Sequence, residues 1–147
     1  MKTNNELLEI AKQIIEDNND INAALTGSLL LYHLGIETRN TSNDIDIVCD
    51  HLAEKDSGYP FMFPNKWKEI SMDGRKSQVD AISFECDGIK VDFLQSDDKK
   101  IVINGINCGS VIKLIERKIY YAKNDLSEES KQKHIDDLKF LGIDIIC

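Results

Sequence analysis

The chain has 147 residues, 41% of them hydrophobic and 30% charged, with 8 Gly and 2 Pro. This is the make-up of one folded domain of about 150 residues rather than of a disordered or low-complexity segment. With 18 Lys plus Arg against 26 Asp plus Glu the net charge is −8, which argues against sequence-blind nucleic-acid binding but leaves room for a local basic pocket that takes a phosphate. No apolar run reaches the ~20 residues of a membrane helix, and the N-terminus enters charged, amphipathic sequence at once, unlike a signal peptide. The expectation is a cytoplasmic protein with no membrane partner. Cys49, Cys86, Cys108 and Cys147 are scattered without a C-x-x-C pair, so reduced, mostly buried thiols are expected.

Residues 4–17 carry Leu7, Leu8, Ala11, Ile14 and Ile15 on one helical stripe. Residues 21–26 read as a short strand, followed at once by Gly27-Ser28 and by a helix over residues 29–34 that Gly35 ends. A polar loop over 37–43 leads to a strand over 44–50, where Ile45 and Ile47 alternate with Asp44 and Asp46. Residues 51–77, with both prolines and Trp67, read as a long loop with one helical turn. Strands are expected over 78–86 and 89–95, joined by the Asp87-Gly88 turn, and over 101–103. Helices are expected over 110–123 and 127–141, the second with Ser127 as N-cap and Gly142 as its end. The fold class is α/β (α+β): one small mixed sheet, helices packed on one face, and two C-terminal helices.

Three aspartates carry the chemistry. Asp44 and Asp46, at i and i+2 on a strand, share a face, and Asp92 interrupts the apolar strand 89–95 with a charge. A carboxylate there is costly unless paired, hydrated or bound to a cation. If the two strands are neighbours, three hard oxygen ligands converge, a set suited to Mg²⁺ or Mn²⁺ and to phosphoryl transfer. Gly27 allows close backbone approach to a phosphate, and Ser28 adds a hydroxyl and a helix start.

This order resembles the nucleotidyltransferase superfamily that includes polymerase beta. Its h-G-[GS], [DE]-h-[DE]-h and h-[DE]-h motifs are matched by Leu25-Thr26-Gly27-Ser28, Asp44-Ile45-Asp46-Ile47 and Val91-Asp92-Phe93. The segment from Gly27 to Gly35, with Arg39, Thr41, Ser42 and Asp44 to Ile47, is similar to the AbiEii-type minimal nucleotidyltransferases; Ser28 stands for their second Gly, and the loop after Arg39 is one residue longer. Their lysine on the penultimate helix is matched by Lys118. Their K-D-x-x-D-L patch is matched by Lys133-His134-Ile135-Asp136-Asp137-Leu138, with His134 where Asp is common.

The resemblance implies a metal-dependent transfer of a nucleoside monophosphate from a nucleoside triphosphate to an acceptor hydroxyl, with release of pyrophosphate. Asp44, Asp46 and Asp92 would be catalytic and hold Mg²⁺ or Mn²⁺; Gly27, Ser28, Arg39, Lys118, Lys133 and Asp137 would bind the nucleotide. Relatives use proteins, tRNA ends or small hydroxyl-bearing antibiotics as acceptors, and a homodimer or partner protein is one route to an acceptor surface here. The alternative is a non-catalytic nucleotide- or partner-binding module, such as one half of a toxin–antitoxin pair.

Lys118 shares a stripe with Val111, Leu114, Ile115 and Ala122, so its charge must reach a cleft, an anion or the stripe's edge. Lys113 and Arg117 fall off that stripe and are expected in solvent. Lys133 and Asp137, at i and i+4, also fit a surface ion pair. His33, His51 and His134 have no metal-ligand spacing and read as structural or exposed. Trp67 with Tyr59, Phe61 and Phe63 reads as a satellite core or an aromatic wall. Dehalogenase-type phosphatases and glycosyltransferases also use D-x-D, but at the end of an apolar strand, whereas a polar loop precedes Asp44.

Overall fold

The computed structural model describes residues 3–36, 44–50, 68–70, 81–125 and 127–143, the side chains of residues 68–70, 81 and 140 excepted. The order is α1 (Asn4–Asp17), β1 (Ala24–Thr26), α2 (Gly27–His33), β2 (Asp44–Cys49), β3 (Lys68–Ile70), β4 (Ala81–Cys86), β5 (Ile89–Gln95), β6 (Ile101–Ile103), β7 (Ile106–Cys108), α3 (Val111–Asn124) and α4 (Glu128–Phe140). The molecule is a mixed α+β fold: among the described residues one sheet runs in the order β3-β4-β5-β2-β1-β7-β6. β2 and β5 pair in parallel, as do β1 and β7; the other neighbours are antiparallel.

α1, α3 and α4 begin where side chains satisfy the free N–H groups of a first turn. Thr3 and Glu6 form a reciprocal capping box on α1. Ser110 accepts from the Lys113 N–H at 3.1 Å to open α3, and Ser127 accepts from the Ser130 N–H at 3.2 Å to open α4. α1 and α2 lie on one face of the sheet. There Leu7, Ala11, Leu29 and Leu30 cover Leu25, Ile45, Ile47, Val91 and Phe93, all buried. Phe84 and Phe93 meet edge to face across β4 and β5, with centroids 6.0 Å apart.

Some sequence expectations are corrected. Residues 21–26 are not one strand: Asn19–Ile21 form a 3-10 turn and only Ala24–Thr26 pair in the sheet. The second helix starts at Gly27, not Leu29. Lys68–Ile70, expected in a loop, pair with β4, so sheet pairing overrode weak local patterning. β7 was not expected at all; Asn104 (φ 48°) and Gly105 (φ 81°) make the left-handed two-residue turn that folds it onto β6. Arg39, the 37–43 loop, His51, the Trp67 cluster, residues 78–80 and Cys147 lie outside the described residues. Cys49, Cys86 and Cys108 are buried.

Candidate active site

The sheet register lays a polar row across four strands. Ser83 of β4 faces Asp92 of β5, Asp92 faces Asp46 of β2, and Asp46 faces Thr26 of β1. Because side chains alternate along a strand, all four project from the face opposite Leu25, Ile47 and Phe93. Asp44 lies two residues before Asp46 on the same face, opposite Lys90. The parallel pairing of β2 and β5 therefore brings the three aspartates to one face, which no local pattern could ensure.

Asp92 is 8% exposed. Its burial is offset by the Ser83 hydroxyl, which donates to it, and by Lys90 Nζ 3.9 Å from Oδ2. Gly27 follows Thr26 with φ +70°, and a β-carbon there would lie 2.3 Å from Asp46 Oδ2. The Asp46 carboxylate thus rests against a backbone that only glycine supplies. α2 has seven residues, and the Thr26 side chain makes no cap to it. Ser28 is half-buried just beyond the turn.

α3 and α4 close this face into a cleft lined by Thr26, Gly27, Asp46, Asp92, Leu94, Leu114, Arg117, Lys118, Tyr121 and His134. Arg117, expected in solvent, is instead drawn in. Its Nη1 lies 3.1 Å from Asp98 Oδ1, and its Nη2 is 2.9 Å from Thr26 Oγ1. It borders the apolar stripe, at i+3 from Leu114 and i−4 from Tyr121, which was the signal that could have placed it. Asp98 is 5% exposed and also takes the Ser96 hydroxyl and the Ser110 N–H, the latter at 3.0 Å. Burial pushes its carboxyl up, but the bonds from Arg117, Ser96 and Ser110 outweigh this and hold its pKa below the usual 3.8.

Lys118 and Asp137 meet at 2.8 Å between α3 and α4, both buried. This corrects the surface-pair expectation: Asp137 is fully buried and bonded to Lys118, while Lys133 is exposed. The Tyr121 and His134 rings lie 5.3 Å apart, and His134 Nε2 is 3.7 Å from Asp125. Burial raises the Tyr121 phenol above its usual value, against Arg117 and with help from Asp46 and Asp125. His134 therefore belongs to the cleft, unlike His33, whose Nε2 meets the Ile103 carbonyl at 2.7 Å.

Carboxylate oxygens on neighbouring strands fit a hard divalent cation. Among the described residues, no three His, Cys, Asp or Glu side chains are gathered into a ready-made metal cage. Mg²⁺ is ordinarily held by one or two carboxylates together with substrate phosphates, so the donor chemistry of Asp46 and Asp92 remains suited to it.

No protein-family model matches the chain, and no curated protein matches it in sequence. Its fold is similar to solved structures. JHP933 from Helicobacter pylori aligns with a TM-score of 0.55 at 18% identity, over 96% of this chain and 66% of that one. A candidate nucleotidyltransferase from H. pylori aligns at 0.54 and 19%, over 94% and 66%. ANT(2")-Ia, solved with adenylyl-2"-tobramycin, aligns at 0.56 and 16%, over 95% and 91%. The chain therefore has a nucleotidyltransferase-type fold and spans just under two-thirds of the two H. pylori proteins.

Proposed function

We propose that the chain is a metal-dependent nucleotidyltransferase that moves a nucleoside monophosphate from a nucleoside triphosphate to an acceptor hydroxyl and releases pyrophosphate. The observation that carries this reading is the Gly27 turn set against the Asp46 carboxylate, with Asp92 in register beside it. The fold shared with ANT(2")-Ia, a protein solved with an adenylylated tobramycin, supports it. The pattern from Gly27 to Ile47 supports a place near the AbiEii-type enzymes.

In this reading Asp44 and Asp46 would hold Mg²⁺ or Mn²⁺, with Asp92 in register beside Asp46. Bound there, the cation supplies Lewis acidity to the phosphate oxygens and the acceptor hydroxyl. The residues of the chain do the rest. Gly27 leaves the backbone open to the phosphates, and Ser28 offers them a hydroxyl. Asp92 takes the proton of the acceptor hydroxyl. The freed oxygen bonds to the α-phosphorus as the bond to pyrophosphate breaks. Asp137 holds Lys118 at the cleft wall.

The test is transfer of label from each α-labelled nucleoside triphosphate, with Mg²⁺ or Mn²⁺, into a cell extract as acceptor pool. Wild type is expected to transfer, and Asp46→Ala to lose at least about 100-fold of the rate. Undiminished transfer by Asp46→Ala would sink the reading. Metal-dependent nucleotide binding without transfer would favour a non-catalytic module, such as half of a toxin–antitoxin pair.

A further inference from the structure

Resting on the nucleotidyltransferase reading, we infer that Arg117 is the side chain that meets the polyphosphate, and that Asp98 is the positioning residue that aims it. The two cations that α3 brings to the cleft differ in what they already hold. The Lys118 ammonium is bonded to the buried Asp137 carboxylate at 2.8 Å. Moving it to a ligand would leave that carboxylate without its counter-ion, a large cost.

Arg117 can serve both sides at once. One edge of its guanidinium lies against Asp98, with Nη1 3.1 Å from Oδ1 and Nη2 3.5 Å from Oδ2. The Nη2 group also donates to Thr26 Oγ1 at 2.9 Å. That acceptor is a neutral hydroxyl, immediately before Gly27 in sequence and opposite Asp46 in the sheet. A phosphate oxygen is charged and accepts more strongly than a hydroxyl. A polyphosphate seated at the Gly27 turn therefore takes the Thr26 contact, while Asp98 keeps its grip.

Asp98 is built for that grip. It is buried, it accepts from the Ser96 hydroxyl and from the Ser110 N–H at the start of α3, and its Oδ2 would be 2.9 Å from any β-carbon at Gly109. It cannot swing away from Arg117 without breaking these contacts. It touches no part of the nucleotide itself and acts through Arg117.

The experiment is calorimetric titration with inorganic tripolyphosphate and with each of the four nucleoside triphosphates, in Mg²⁺. The proteins are wild type, Arg117→Gln, Arg117→Lys, Asp98→Asn and the double variant Asp98→Asn/Arg117→Gln, each checked for its fold by circular dichroism. Arg117→Gln is expected to weaken binding roughly tenfold to a hundredfold. Arg117→Lys keeps the charge facing Asp98, and with it the fold, but loses the fork and weakens binding several-fold. Asp98→Asn also weakens binding, and the double variant binds no worse than Arg117→Gln alone, because Asp98 works only through Arg117. A merely structural Asp98 would add its loss to that of Arg117→Gln, which would overturn its positioning role. Wild-type affinity in either folded Arg117 variant would overturn the assignment while leaving the nucleotidyltransferase reading intact. No binding of any probe by wild type would sink both.

Discussion

At Gly27 two constraints coincide: a φ of +70° and an Asp46 oxygen 2.3 Å from where a β-carbon would stand. Gly27→Ala is expected to cost about 1–2 kcal/mol from the backbone conformation alone, and more from the clash. Urea denaturation measures the stability loss, and the transfer assay should lose activity with it. Asp98 carries a second prediction. Its folded pKa lies below the 3.8 of an unperturbed aspartate. It therefore contributes stability at pH values above about 3.8 that fades as pH falls through its lower, folded pKa. Acid unfolding followed by circular dichroism should show a shallower decline below pH 4 in Asp98→Asn than in wild type, from a lower starting stability.

Between elements, the bond that ties α4 to α3 at the cleft wall is the buried Lys118–Asp137 pair. Lys118→Met strands the Asp137 carboxylate and is expected to cost about 3–5 kcal/mol, whereas Lys118→Met/Asp137→Leu should recover most of that, since an apolar pair of similar volume replaces a buried ion pair at little net cost. Denaturant midpoints of the three proteins decide this. Nucleotide binding is expected to return with stability in the double variant, because Lys118 serves the cleft wall while Arg117 meets the ligand. The α1 stripe, the Asp87-Gly88 hairpin and the Ser127 cap were legible because each is set by residues a few positions apart. β7 was marked only by the Asn104-Gly105 turn before it, a hairpin signal that its apolar pattern does not repeat.

At the scale of the molecule, no helix among the described residues is long and apolar enough to cross a membrane. The net charge of −8 disfavours extended RNA contact. Under the proposed function, EDTA should abolish transfer, and added Mg²⁺ or Mn²⁺ should restore it. Transfer that persists in EDTA would remove the metal from the reaction. A thermal shift on adding nucleoside triphosphate, present with Mg²⁺ and absent after chelation, would show the same dependence through binding alone.

The sequence by itself determined the alternation that puts Asp44 and Asp46 on one face and Ile45 and Ile47 on the other, because strand geometry fixes that from adjacent residues. It also marked Gly27-Ser28 as a turn and Asp92 as a charge in an apolar run. What it could not hold was the distance in three dimensions between residues far apart in the chain. Only the pairing of β2 with β5 sets Asp46 beside Asp92. Only the fold of α3 onto the sheet takes Arg117 from an expected solvent position to Thr26 and Asp98, 91 and 19 residues away. Likewise, α3 against α4 gave Asp137 to Lys118 rather than to Lys133, its neighbour one turn away. A buried carboxylate requires a partner that is also withdrawn from water, and packing, not sequence spacing, decides which one that is.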